Sequence, residues 1–435
     1  MRAVHFLTWS LVLLAACGDS PPPPMIPQDL TSCDITTAGC QLGIFESVAR
    51  QLEQDARELP PIRTISVAQF EEEVRDGVSP DDLVGDDPES RGLRLIGFIP
   101  DTASSATEAE IDRQLTSVAA YYSSNSRAIT IIDRDYEDGN AQSILAHEFV
   151  HALQDREFGI RTVFAGVDST DGVMGARVVI EGDATYAASA WFVDQVGQSV
   201  SGVDWDVSYD DFQQFAKDDA ADIETSIDAS ASFFPYAFGY EMLGRATQGG
   251  GLQGRAELFI APPSSARDAM AGYDAFVANG FASVDEPAAV LPEVPDGGAL
   301  ALEDRSGAWY VYATLLRSGV DEEDAWANAL AWRGDRLGIF ESGSEVVAVW
   351  RIRFAADASF MEEAIAQSPR DVFWSAVVDG EDSFVIAAES DAALATWEAQ
   401  PAEVVSAMVD TVPNARKSAE LKLPFGCTPP PPPAF

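Results

Sequence analysis

The sequence predicts an α+β protein. Three observations point there. Apolar residues recur at helical spacing in separated stretches; short β-branched runs lie between them; and the last third passes from helical patterns to strand patterns with no internal repeat. At 435 residues, 46% of them hydrophobic, the chain is long enough for two average domains or one large one. Its formal charge of -44 argues against nucleic acid and anionic lipid headgroups as partners.

In chain order, Arg2 and the mainly apolar run from Val4 to Ala16 form a secretory signal, too short to span a membrane. Leu14, Ala15, Ala16 and Cys17 resemble the lipobox of bacterial lipoproteins, which implies cleavage before Cys17 and a lipid anchor on it. That would place the protein in a bacterial cell envelope, tethered to the membrane and facing away from the cytoplasm. Pro21 to Pro24 and Pro27 then make a stiff spacer. Export permits disulfides. Cys33 with Cys40 is the simplest pair, and pairing with Cys427 is open.

Ile44, Phe45, Val48, Leu52 and Leu59 predict a helix over 43–59, stopped by Pro60 and Pro61. Ile62 to Ile65 predicts a strand, and Ser66 with Gln69 a capping box. Residues 76–88 read as an acidic loop and 107–119 as a second amphipathic helix. Runs 120–122 and 128–132 read as a hairpin leading to a helix capped by Asn140. The expected organisation is a signal peptide (1–16), a proline-rich linker (17–42), a catalytic domain (43–287), an α+β C-terminal subdomain (302–423) and a proline-rich tail (424–435). The boundary falls in the proline- and glycine-rich stretch 288–301.

The stretch SILAHEFVHALQD (143–155) carries the chemistry. His147 and His151 stand four apart, so on a helix both imidazoles reach one metal ion, and Glu148 can take a proton from water at that metal. This H-E-x-x-H arrangement belongs to zinc hydrolases of zincin-like fold, with the helix beside a small sheet whose edge can hold an extended peptide. The chain has three histidines, and the third, His5, lies in the signal. A third histidine ligand is therefore excluded and a carboxylate must complete the site. Glu181, in the alanine-rich run GARVVIEGDATYAASAWFV, is the best candidate. Asp183 is the alternative on nearly the opposite helix face, with Glu224 and Glu241 behind it. Asp155, or Gln154, would orient a histidine ring, with Asp155 preferred. Asp335 and Arg336 read as a structural pair fixing a turn before a strand near Ile339.

HEFVHALQD, VVIEGDATY, FFPYAFGYEM, APPSS and AWRGDRLGIF together resemble a set of bacterial and archaeal zinc metallopeptidases of gluzincin type. Their pattern runs HExxHALQDQ, EGDA, a Pro-Tyr segment with a nearby glycine, and a late tryptophan followed by GDR. The similarity covers roughly 43–398. It implies Zn2+ held by His147, His151 and Glu181, with Glu148 as base, Tyr236 rather than Tyr240 as donor to the oxyanion, and a peptide or protein substrate. Arg156 departs from the usual glutamine, and the Pro-Pro-Ser-Ser segment lacks the histidine-containing continuation. A lipoprotein with a structural or vestigial zinc site, binding a partner, is the reading from another class; a hydrolase of non-peptide amides is the third.

Overall fold

The structure is a computed structural model that describes residues 24–79, 87–134, 140–223, 225–280, 299–368, 373–398 and 425–427. The signal segment, Cys17, Glu224, residues 288–298 of the expected boundary and the prolines at 429–433 lie outside the described residues. No helix among the described residues is long and apolar enough to cross a membrane.

Helix α1 (Ala38–Gln51) begins beside the Cys33–Cys40 disulfide and stops where Glu53 turns to a φ of 53°. It therefore starts and ends earlier than its apolar periodicity suggests, and Ile35 and Cys40 are already buried. Strand β1 (Ile62–Ser66) enters α2 (Val67–Asp76) through the expected capping box, with the Gln69 N–H donating to Ser66 Oγ and the Ser66 N–H to Gln69 Oε1. Helix α3 (Pro88–Ile96) starts at the end of the stretch read as loop. Asp87 caps its first turn, Pro88 occupies its first position, and Gly97 ends it at a φ of 81°.

Helix α4 (Ala106–Ser117) precedes the hairpin of β2 (Ala120–Ser123) and β3 (Ala128–Asp133), where Tyr122 faces Ile129. Strand β1 adds to β3 in parallel. Next come α5 (Asn140–Glu157), α6 (Ile160–Val163), α7 (Thr170–Gln195), α8 (Trp205–Ala221), α9 (Ile227–Ile260), α10 (Ala266–Met270) and α11 (Tyr273–Ala278). Every residue of α7 from Val178 to Trp191 is buried, as befits a helix enclosed by α1, α5 and α9. Helix α9 contains Pro235 and breaks at Gly251, whose φ is 60°.

The remainder comprises β4 (Ala299–Asp304), α12 (Ala308–Arg317), α13 (Glu322–Leu330), β5 (Trp332–Ser342), β6 (Glu345–Phe354), α14 (Phe360–Gln367), β7 (Phe373–Asp379), β8 (Asp382–Ala388) and α15 (Asp391–Glu398). These five strands form an antiparallel sheet in the order β4-β5-β6-β8-β7. Strand β9 (Phe425–Cys427) returns to the first sheet, ordered β1-β3-β2-β9. The hairpin beside α5 is thus flanked on both sides, β2 by β9 and β3 by β1. The largest core cluster runs from Ile35 to Val385 and draws on both sheets and on α1, α5, α7, α9 and α12.

Asp335 and Arg336 do not pair. They are successive residues of β5, and their side chains leave opposite faces. Buried Asp335 accepts from the N–H groups of Ser306 and Gly307 and from the indoles of Trp332 and Trp350, joining β4, α12 and β6. Arg336 reaches Glu303 instead.

Candidate metal centre

The centre lies where α5 crosses α7. One helical turn places His147 and His151 on the same face of α5, with ring centroids 4.6 Å apart. Glu181 approaches from α7, and its Oε2 stands 3.4 Å from His147 Nε2 and 3.3 Å from His151 Nε2. One donor atom from each residue lies within 4.8 Å of the others, and all three side chains are fully buried. Among the described residues this is the one such group of three.

Two nitrogens and one oxygen sharing a pocket need a cation or a proton. Burial drives the His147 pKa down to about 4. Burial also opposes charge on His151, but Glu181 and Glu148 overcome it and raise His151 to about 9. Burial alone would raise Glu181, yet His147, His151 and Arg177 together hold it well below the usual carboxylate range. Arg177, one turn earlier on α7, sits 3.4 Å from Glu181 Oε1, so Oε2 is left to the histidine side. Nothing in the sequence reading singled out Arg177; its i,i+4 spacing from Glu181 was the available signal.

Glu148 is fully buried beside the triad. Neither of its carboxylate oxygens has a hydrogen-bond partner among the described residues. Burial raises its pKa to about 8, with His151 and the backbone of Tyr122 opposing the shift and Glu181 adding to it. A buried carboxylate without a donor is costly unless a cation or water serves it.

Tyr236, from α9, stacks beside His147 with ring centroids 6.0 Å apart, and Arg177 lies 5.9 Å from the Tyr236 ring. Tyr240 points away, into a cluster with Tyr209, Trp205 and Phe212. From Tyr236 an aromatic path leads outward through half-buried Phe233 at 6.0 Å to Phe215 on α8, which is 51% exposed.

Asp155 does not orient a histidine. It accepts from the Tyr122 hydroxyl at 2.9 Å and from the Ile160 N–H at 3.1 Å, tying β2 and α6 to α5. The partner of His151 is Gln154, whose Oε1 lies 2.9 Å from His151 Nδ1. Asp183 faces away from the ligands, towards Gln154 and Arg255. Glu241 pairs with Arg245 and accepts from Gln213. Comparison with family models, with curated proteins and with solved structures gives no match to this chain. What the fold and site define is therefore a class: an α+β protein whose buried two-histidine, one-carboxylate group can hold a metal ion.

Proposed function

We propose that the protein is a zinc-dependent metallopeptidase of zincin-like, gluzincin type, anchored by lipid at Cys17 and acting outside the cytoplasm. The observation that carries this reading is the buried, unpartnered Glu148 carboxylate beside a complete His147, His151 and Glu181 ligand set. The donor set fits zinc. Ligand atoms about 2.0–2.1 Å from one tetrahedral ion stand about 3.3–3.4 Å apart, and Glu181 Oε2 lies at 3.4 and 3.3 Å from the two imidazole nitrogens. Three protein ligands leave a fourth position open, as catalytic sites do.

A zinc ion held there would supply Lewis acidity and lower the pKa of water to about 7. Glu148 accepts the proton of the attacking water and passes it to the leaving amine; a pKa raised by burial towards neutrality suits that double role. Arg177 keeps Glu181 ionised. The Tyr236 hydroxyl donates to the developing oxyanion. The path from Tyr236 through Phe233 to exposed Phe215 supports apolar substrate side chains approaching from α8.

Complete burial of all four metal-site side chains favours a second reading, a partner-binding lipoprotein whose zinc is structural or vestigial. Zinc analysis and peptide-library cleavage on wild type and Glu148→Gln decide. The peptidase reading expects about one zinc per chain in both proteins and cleavage by the wild type alone. Turnover retained by Glu148→Gln removes Glu148 from the mechanism, and a zinc-loaded wild type that cuts nothing favours the second reading.

A further inference from the structure

Behind His151 runs a chain of hydrogen bonds that leaves the metal side altogether. Gln154 donates through Nε2 to the Ile180 carbonyl at 2.9 Å and to Asp183 Oδ2 at 2.8 Å. Asp183 is gripped at both oxygens by Arg255, Nε to Oδ1 at 2.8 Å and Nη2 to Oδ2 at 2.9 Å. Arg255 also donates to Glu157 at 2.7 Å, and its guanidinium lies over the rings of Phe158 and Phe259. Gln154, Asp183 and Arg255 are all at least 99% buried.

The directions of these bonds are fixed by chemistry. An arginine only donates, so Asp183 is a carboxylate that only accepts. Gln154 must therefore present its NH2 to Asp183, which turns its oxygen towards His151. That oxygen only accepts, so His151 donates from Nδ1–H and its Nε2 is the nitrogen left for a metal. Nε2 is also the atom facing Glu181.

We infer that Gln154, Asp183 and Arg255 are positioning residues that set the His151 tautomer and ring orientation for metal binding, with Arg255 acting through Asp183 and Gln154. This rests on the reading that the centre binds zinc. Arg255 follows the break of α9 at Gly251, so the segment beyond that break clamps the C-terminal end of α5 and the ligand-bearing part of α7 together.

The test is a double-mutant cycle on zinc affinity, measured by competition between the intact protein and a chromophoric chelator. Gln154→Leu fills the space without accepting from His151 and is expected to weaken zinc binding about 10–100-fold; Arg255→Lys keeps the charge, loses the bidentate grip and is expected to weaken it about tenfold. Because Arg255 acts through Gln154, adding Arg255→Lys to Gln154→Leu produces little further loss. Losses that multiply in the double variant, or single variants that bind zinc as wild type does, overturn the inference while leaving the zinc reading intact. Melting of the metal-free proteins separates this from mere support of the fold: a purely structural role moves their Tm without the non-additive affinity pattern, and that outcome overturns it too. A wild type that takes up no zinc overturns the zinc reading and this inference with it.

Discussion

Gly182 of α7 and Gly239 of α9 meet backbone to backbone. A Cβ on Gly182 would fall 2.2 Å from the Gly239 carbonyl carbon, and one on Gly239 would fall 2.2 Å from the Val178 carbonyl oxygen. Neighbouring backbone cannot yield as a side-chain tip can, so both positions require glycine despite its cost of roughly 1 kcal/mol within a helix. Glu181 adjoins one glycine, and Tyr236 lies about a turn before the other, so this contact sets the Glu181 helix against the Tyr236 helix. Gly239→Ala is expected to destabilise the fold by about 3 kcal/mol, the upper end for an overpacked core. It should also lower zinc content. Thermal unfolding and metal analysis check both, and an unchanged Tm with full zinc would refute the claim.

Tyr236 lies against His147, with ring centroids 6.0 Å apart, and in the proposed mechanism its hydroxyl serves the oxyanion. Tyr236→Phe keeps the ring and its packing. Removing one oxyanion donor is expected to cost about 10²–10³ in kcat, with KM, zinc content and Tm nearly unchanged. A loss confined to KM would make Tyr236 a binding residue instead.

Much of the helical pattern and the histidine pair were legible because they depend on local spacing. His147 and His151 fall one turn apart, and Ser66 with Gln69 spells out its own cap; Glu181 followed from the histidine count, which leaves a carboxylate to complete the group. Asp155 and Gln154 were not separable that way. Adjacent residues differ by about 100° around a helix, and only the position of α7 decides that Gln154 meets His151 while Asp155 meets Tyr122. Arg255 was invisible for the same reason, being 72 residues from Asp183. Helix α3 escaped because its evidence lies in its ends, Asp87 with Pro88 and Gly97, more than in its periodicity. The pairing of β9 with β2 joins residues some 300 apart, which no local pattern announces.

That pairing has a consequence for activity. Strand β2 packs on α5 beside the centre, and its outer edge is taken up antiparallel by β9, with Tyr122 opposite Phe425. An extended peptide would seek the same backbone groups. Removing residues 425–435 is therefore expected to raise kcat/KM on peptide substrates several-fold without changing zinc content. Equal or lower activity in the truncated protein would show that the edge of β2 is not where substrate binds.

Stability should fall as pH rises, for a reason that lies in three buried carboxyl groups outside the His147, His151 and Glu181 group. Burial raises Asp228 to about 7, although the Tyr310 hydroxyl donating at 2.7 Å opposes the shift; burial likewise raises Asp171 to about 7 and Asp304 to about 6. Each carboxyl holds its proton more tightly folded than unfolded, where the pKa is about 3.9. Their contribution is fully present below about pH 4 and is lost as pH climbs through 6 to 7. Tm at pH 5 should thus exceed Tm at pH 8 at constant ionic strength. The net charge of -44 pushes the same way through repulsion, so a local control is needed. Asp228→Asn provides it, because an uncharged amide oxygen accepts from Tyr310 as the protonated acid does. The variant should match wild type only at about pH 4 or below, and should exceed it at pH 8 by an amount on the order of 1 kcal/mol or more. Parallel pH profiles for the two proteins would rule out Asp228 as a source of the trend.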